Sequence, residues 1–174
     1  MPAHDVVVLV EGASDAAVVE LLADGVGPSL EVVAMGGITN AARHVRRLSA
    51  RRPTPAVLGL CDLRERRFLD RLEPPLDGVF ACDADLESEL IRAVGPAGVL
   101  DVLAALGELA RFRTFQGQPE WRGRPIADQL HRFAGTRSGR KATLAHALAA
   151  RLGPDDVPAP LADLLATARR LQRG

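Results

Sequence analysis

Glu11, Asp15, Asp62, Asp85 and Glu87 are spread over the first half of a 174-residue chain, and all but Asp15 follow on or lie just beyond short apolar runs. Glu11 comes after Val6–Val10 and Asp62 after residues 56–61, while Asp85 and Glu87 lie just beyond Gly78–Cys82. If those runs are parallel strands, the acids collect at the carboxyl edge of one sheet, where chemistry gathers in open α/β folds. Carboxylates crowded there repel one another unless a cation neutralises them. Mg²⁺ and similar hard ions take oxygen ligands of this kind. Two such ions, roughly 4 Å apart, can hold both the attacking and the leaving oxygen of a phosphodiester. Asp15 falls one turn into the helix after Glu11, so both side chains can face one site. Taken singly, each acid also reads as an ordinary helix-start or N-cap residue. Their recurrence at the tips of successive strands is what points to chemistry.

The elements that must position these acids alternate in type. Val6–Val10 is mostly β-branched and reads as a strand, and residues 14–22 have helical spacing through Val18, Leu21 and Leu22. Residues 30–35 form a second strand closed by Gly36-Gly37, and 41–50 a helix with Val45 and Leu48 inward. Residues 56–61 form a third strand and 64–72 a short basic helix stopped by Pro74-Pro75. Gly78–Cys82 is the fourth strand, and 86–94 a helix ending at Gly95-Pro96. Strands alternating with helices predict an α/β fold with a parallel sheet of about four strands flanked by helices. Their continuous apolar character suits strands covered on both faces. Beyond Pro96 the spacing predicts helices over 99–109, 126–133, 142–152 and 161–171, with 111–115 open to a further strand. The reading is a single domain over 1–174, in which a helical cap of residues 96–174 packs on the core of residues 1–95.

The net charge is zero, but it is unevenly placed. Residues 1–110 carry 10 Arg against 17 acids, a net of −7, and residues 111–174 carry 12 Arg and Lys against 5 acids, a net of +7. An acidic half suited to cations lies beside a basic half suited to phosphates. Arg122, Arg124, Arg132, Arg137 and Arg140 flank Lys141, the only lysine, and could bind phosphates without reading sequence. Aromatics are few, which argues against a stacking platform for bases, and Trp121 and Phe133 read as packing residues. The stretch GTRSGRKAT has the wrong spacing for a P-loop and follows no strand. His4, His44, His131 and His146 lack zinc spacing, and Cys61 and Cys82 sit as isolated thiols in apolar runs. Reduced thiols, no apolar run of membrane-spanning length and no leader pattern suit a cytoplasmic chain.

In order along the chain, VLVEGASD, AMGGITN, LGLCD and DADLESEL resemble the Toprim domain. The Asp-Leu-Glu element resembles most closely the Toprim half of OLD-family nucleases, over about the first 95 residues. The resemblance implies a Rossmann-like Toprim fold and an endonuclease centre dependent on one or two Mg²⁺ or Mn²⁺ ions. It implies Glu11 as metal ligand or general acid/base, and Asp15, Asp62, Asp85 and Glu87 as further ligands. Gly12, Gly37 and Asn40 correspond to residues that shape the site, and Lys141 to a catalytic lysine aimed at it. Arg124, Arg137 and Arg140 are then the candidate nucleic-acid contacts. The implied partner is nucleic acid, DNA ahead of RNA, with a separate ATPase or helicase as a possible associate and no membrane. A freestanding ribonuclease for structured RNA and a catalytically weak adaptor are the alternatives. One position departs from the pattern: Arg64 stands where many Toprim sequences have the second aspartate of Asp-x-Asp, with Glu65 beside it.

Overall fold

The computed structural model of the chain describes residues 6–26, 30–137 and 139–173. Four parallel strands form its sheet: β1 (Val6–Val10), β2 (Glu31–Ala34), β3 (Ala56–Asp62) and β4 (Gly78–Cys82), in the spatial order β2-β1-β3-β4. The register sets Leu9 opposite Gly59, Val10 opposite Ala34 and Asp62 opposite Cys82. β1 and β3 are thus the interior strands, and their carboxyl ends lie side by side.

Among the described residues eight α-helices accompany the sheet: α1 (Ala13–Val26), α2 (Ala41–Ser49), α3 (Arg66–Leu69), α4 (Leu86–Ala105), α5 (Leu109–Gln116), α6 (Ile126–Ala134), α7 (Arg140–Ala149) and α8 (Ala159–Leu171). All five β1 residues are fully buried, and the pleat divides them between two cores. Val6, Val8 and Val10 point into the larger core, with Val18 of α1, Leu90 and Leu103 of α4, Leu144 of α7 and Leu164 of α8. Val7 and Leu9 point to the opposite face, with Met35, Ile38, Val45 and Leu48 around α2 and Leu69 of α3. Covering on both faces is what makes the strand apolar at every position.

Three elements differ from the expectation. The basic helix over 64–72 shrinks to the single turn of α3, because a tight turn at Asp62–Glu65 takes up its start: the Glu65 amide donates to the Asp62 carbonyl at 2.9 Å. Helices 86–94 and 99–109 abut as α4, which kinks at Gly95 (φ 73°, ψ 158°) and restarts with Pro96, whose missing N–H is no loss in a first turn. Residues 111–115 belong to helix α5: Phe112 and Phe115, three apart, fall on one buried face, whereas a strand would send them to opposite sides. Among the described residues no helix is long and apolar enough to cross a membrane.

Candidate metal centre

Glu11 leaves the tip of β1 with its backbone clamped. Its carbonyl accepts from the amides of Gly36 (3.0 Å) and Gly37 (3.1 Å). Both glycines have positive φ, 69° and 114°, which allows two successive N–H groups to turn onto one oxygen. The Asn40 amide nitrogen closes the same turn by donating to the Met35 carbonyl at 3.1 Å and the Gly36 carbonyl at 3.0 Å. Gly37 and Asn40 therefore act on the site by holding the Glu11 backbone. Gly12 donates its N–H to Asp15 Oδ2 at 3.0 Å, which fixes the second acid at the start of α1.

Asp62 ends β3, and the turn after it brings back Glu65. One carboxylate oxygen each from Glu11, Asp62 and Glu65 lie within 4.8 Å of one another, and all three residues are half-buried. A Glu65 oxygen, Oε2, is buried with no hydrogen-bond partner. Burial pushes the Asp62 carboxyl up to about 7, and the charges of Asp85, Glu11, Glu65 and Asp15 add to it. Asp15 rises to about 6, mainly through burial; Glu87 and Glu11 raise it further, against the Gly12 amide and Lys141. Glu65 is raised by burial and by its contact with Glu11. Acids so placed hold their protons because ionising together is costly. An all-oxygen donor set, crowded and incompletely satisfied, fits a hard divalent cation.

Asp85 and Glu87 belong to the adjoining wall. Ala84, with φ 65°, turns the chain so that Asp85 caps α4, accepting from the Ser88 amide at 2.8 Å. Asp85 Oδ2 also lies 2.7 Å from His131 Nε2. Burial alone would raise the Asp85 carboxyl, but the hydrogen bonds from His131 and Ser88 outweigh it and hold it below the ordinary value. Glu87 is only 2% exposed, and Lys141 Nζ stands 2.9 Å from its Oε2. Neither Glu87 oxygen has an aligned hydrogen bond, so this contact is an attraction of charges. Burial would lower the Lys141 ammonium, yet Glu87, with Asp85 and Asp15 behind it, raises it. Asp85, Glu87, His131, Arg132 and Lys141 line a cleft of about 160 Å³.

The sequence-predicted residues thus fall into two adjacent groups. Glu11 and Asp62 sit in the three-acid cluster, with Asp15 beside them. Asp85 and Glu87 are engaged with His131 and Lys141, and they reach the cluster through their charge. In the sequence Glu65 stood out only as the neighbour of Arg64, and here it is the third member. His131 was missed: it lies 46 residues from Asp85, and nothing in its local sequence marks it. The arginines divide as well. Arg137 is 63% exposed, and Arg124 donates to the Glu120 carbonyl at 2.7 Å while lying over the Trp121 ring. Arg140 turns inward, 10% exposed, pairing with Glu108 at 3.0 Å and lying over Phe133 at 4.1 Å.

The chain is an α/β fold with a parallel four-stranded sheet, carboxylates at the tips of its interior strands and a helical C-terminal part, the arrangement expected from the motifs that resemble the Toprim domain. In particular, the chain matches solved structures of the C-terminal region of OLD proteins over nearly its whole length. It is similar to the C-terminal region of the Burkholderia pseudomallei OLD protein with a TM-score of 0.66 and 21% identity, covering 97% of this chain and 98% of that one. It is also similar to the C-terminal region of the Xanthomonas campestris pv. campestris OLD protein. The form phased with mercury gives a TM-score of 0.66 and 20% identity with all of both chains covered, and the form phased with iodine gives 0.65 and 21%, covering 98% and 96%. At such identities the likeness establishes the fold. No protein-family model and no curated protein matches the chain.

Proposed function

We propose that the chain is a divalent-metal-dependent endonuclease that cuts or nicks DNA. The observation that carries this reading is the Glu11, Asp62 and Glu65 cluster at the tips of the two interior strands of an OLD-type fold. These three residues would hold Mg²⁺ or Mn²⁺, with Asp15 beside them and Asp85 and Glu87 available on the adjoining wall. A cation bound there supplies Lewis-acid polarisation of a phosphoryl oxygen and a more acidic water. Glu11, on a backbone clamped by two amides, is the candidate for moving a proton at the reacting oxygen. Lys141 brings a positive charge to the edge of the acidic group, where charge develops on a phosphate under attack. His131 positions Asp85 by the 2.7 Å contact between them.

The test is nicking of supercoiled plasmid with Mg²⁺ or Mn²⁺, wild type beside Glu11→Gln. Conversion to open circles by the wild type, lost in a variant with an unchanged circular-dichroism spectrum, is the expected result. Cutting by Glu11→Gln at the wild-type rate would refute the role given to that residue. An intact plasmid under both metals, with cleavage of a structured RNA, would replace DNA by RNA as substrate.

A further inference from the structure

A second cleft shares Arg132 with the cleft of the acidic wall. It measures about 530 Å³, and Arg111, Arg132, Arg137 and Arg140 line it together with Trp121 and Glu120. Glu108 stands 2.8 Å from Arg111, 3.7 Å from Arg137 and 3.0 Å from Arg140, so three guanidinium groups share one carboxylate. Four arginines against Glu108 and Glu120 leave two positive charges uncompensated. Arg132 pairs with no acid among the described residues. Arg111 and Arg137 are 61% and 63% exposed and can turn toward a ligand, while the buried Arg140 fixes the wall behind them.

Arg132 also lines the smaller cleft that holds Asp85, Glu87, His131 and Lys141. Arg132 is therefore common to both clefts. We infer that the basic cleft carries the phosphodiester backbone of the nucleic-acid strand onward from the wall of Asp85, Glu87 and Lys141. The identity of that strand rests on the nuclease reading. Its bases would not be read by stacking, because Phe115 stacks on the Trp121 ring with centroids 5.2 Å apart and the Arg124 guanidinium lies 5.2 Å from the same ring. Guanidinium groups spread along a groove contact phosphates and carry no sequence information.

Trp121 is the only tryptophan and lines the cleft, so its emission reports occupancy. The experiment titrates a fluorescein-labelled oligothymidylate, and separately a labelled duplex, into the full chain carrying Glu11→Gln, so that neither is cut. The cleft variant adds Arg132→Ala and Arg137→Ala. The control adds Arg46→Ala and Arg47→Ala on α2, which packs on the opposite face of the sheet. We expect a change in Trp121 emission and about tenfold weaker binding by the cleft variant, with near-parental binding by the control. The log–log salt slope should fall by about 0.7 per lost contact for the single strand and by about 0.9 for the duplex. Parental affinity in the cleft variant, no binding to either probe, or equal competition by polyglutamate would overturn the inference. Failure of the nuclease reading would look different: the arginine dependence would persist while wild-type protein left plasmid intact.

Discussion

Replacing Lys141 by methionine removes the one ammonium beside a carboxylate that is almost wholly withdrawn from water. Glu87 is 2% exposed, and the 2.9 Å contact with Lys141 Nζ is its ion pair. Its oxygens have no aligned hydrogen bond to fall back on. Stranding one member of a fully buried pair costs about 3–5 kcal/mol. The Lys141 side chain is 49% exposed, so water reaches that end of the pair and lowers the figure. We expect about 2–3 kcal/mol, which in a chain of this size lowers Tm by roughly 5–10 °C. Asp15 then loses a favourable neighbour too, since Lys141 opposes the rise in its proton affinity.

The assay is urea and thermal unfolding of Lys141→Met, Glu87→Gln and the double variant near neutral pH. Glu87→Gln removes the charge instead of stranding it and should cost less. The double variant should then be more stable than Lys141→Met alone, with a coupling of about 1 kcal/mol or more in the cycle. A Lys141→Met midpoint equal to wild type, or two single effects that simply add, would refute the view that Glu87 depends on this lysine. The result also governs how activity is read. Loss of nicking in a lysine variant counts as chemistry only where the fold has survived.

Two further outcomes are expected, one from the acids of the site and one from the sheet. The folded-state values of Asp62, about 7, and Asp15, about 6, both exceed the ordinary 3.8, so the folded chain binds these protons more tightly than the unfolded chain does. In chelator its stability should be fully present at low pH and decline as pH rises through the carboxylate range toward 7; a higher urea midpoint at about pH 8 than at about pH 5 would contradict this, and Asp62→Asn should flatten the slope. In the sheet, a Cβ added at Gly59 would meet Leu69 Cδ1 at 2.7 Å and Leu76 Cδ1 at 2.8 Å, so Gly59→Ala should cost about 1–3 kcal/mol; an unchanged Tm would mean that both leucines swing aside.

The sheet was legible because its signal is local. Apolar runs of four to seven residues, each followed by a turn and a helical period, leave little choice but parallel strands, and β1 through β4 lie where those runs are. What the runs do not encode is spatial order. That β1 and β3 are neighbours, and so set Glu11 beside Asp62, follows from pairing over some fifty residues of sequence. The C-terminal contacts were the least legible. His131 meets Asp85, and Glu108 gathers three arginines, through helix packing that no local pattern specifies. Arg140 shows the same limit: its charge suggested a surface contact with phosphate, but its position at the start of α7 folds it over Phe133.

Arg64 is where spacing and geometry part. In an extended strand, residues two apart share a face, so Asp-x-Asp places two carboxylates on one side only while the strand continues. Here β3 stops at Asp62, and the chain turns at once, with the Glu65 amide on the Asp62 carbonyl at 2.9 Å. A turn brings residues three apart together. Glu65 therefore returns to Asp62 and Glu11, while Arg64, in the middle of the turn, is carried out to solvent. Read as a strand, the sequence has no acid two residues after Asp62; read as the turn it forms, it brings one back a residue later, on a side chain one methylene longer than aspartate. That turn accounts for a three-acid cluster forming although the position two residues after Asp62 holds an arginine.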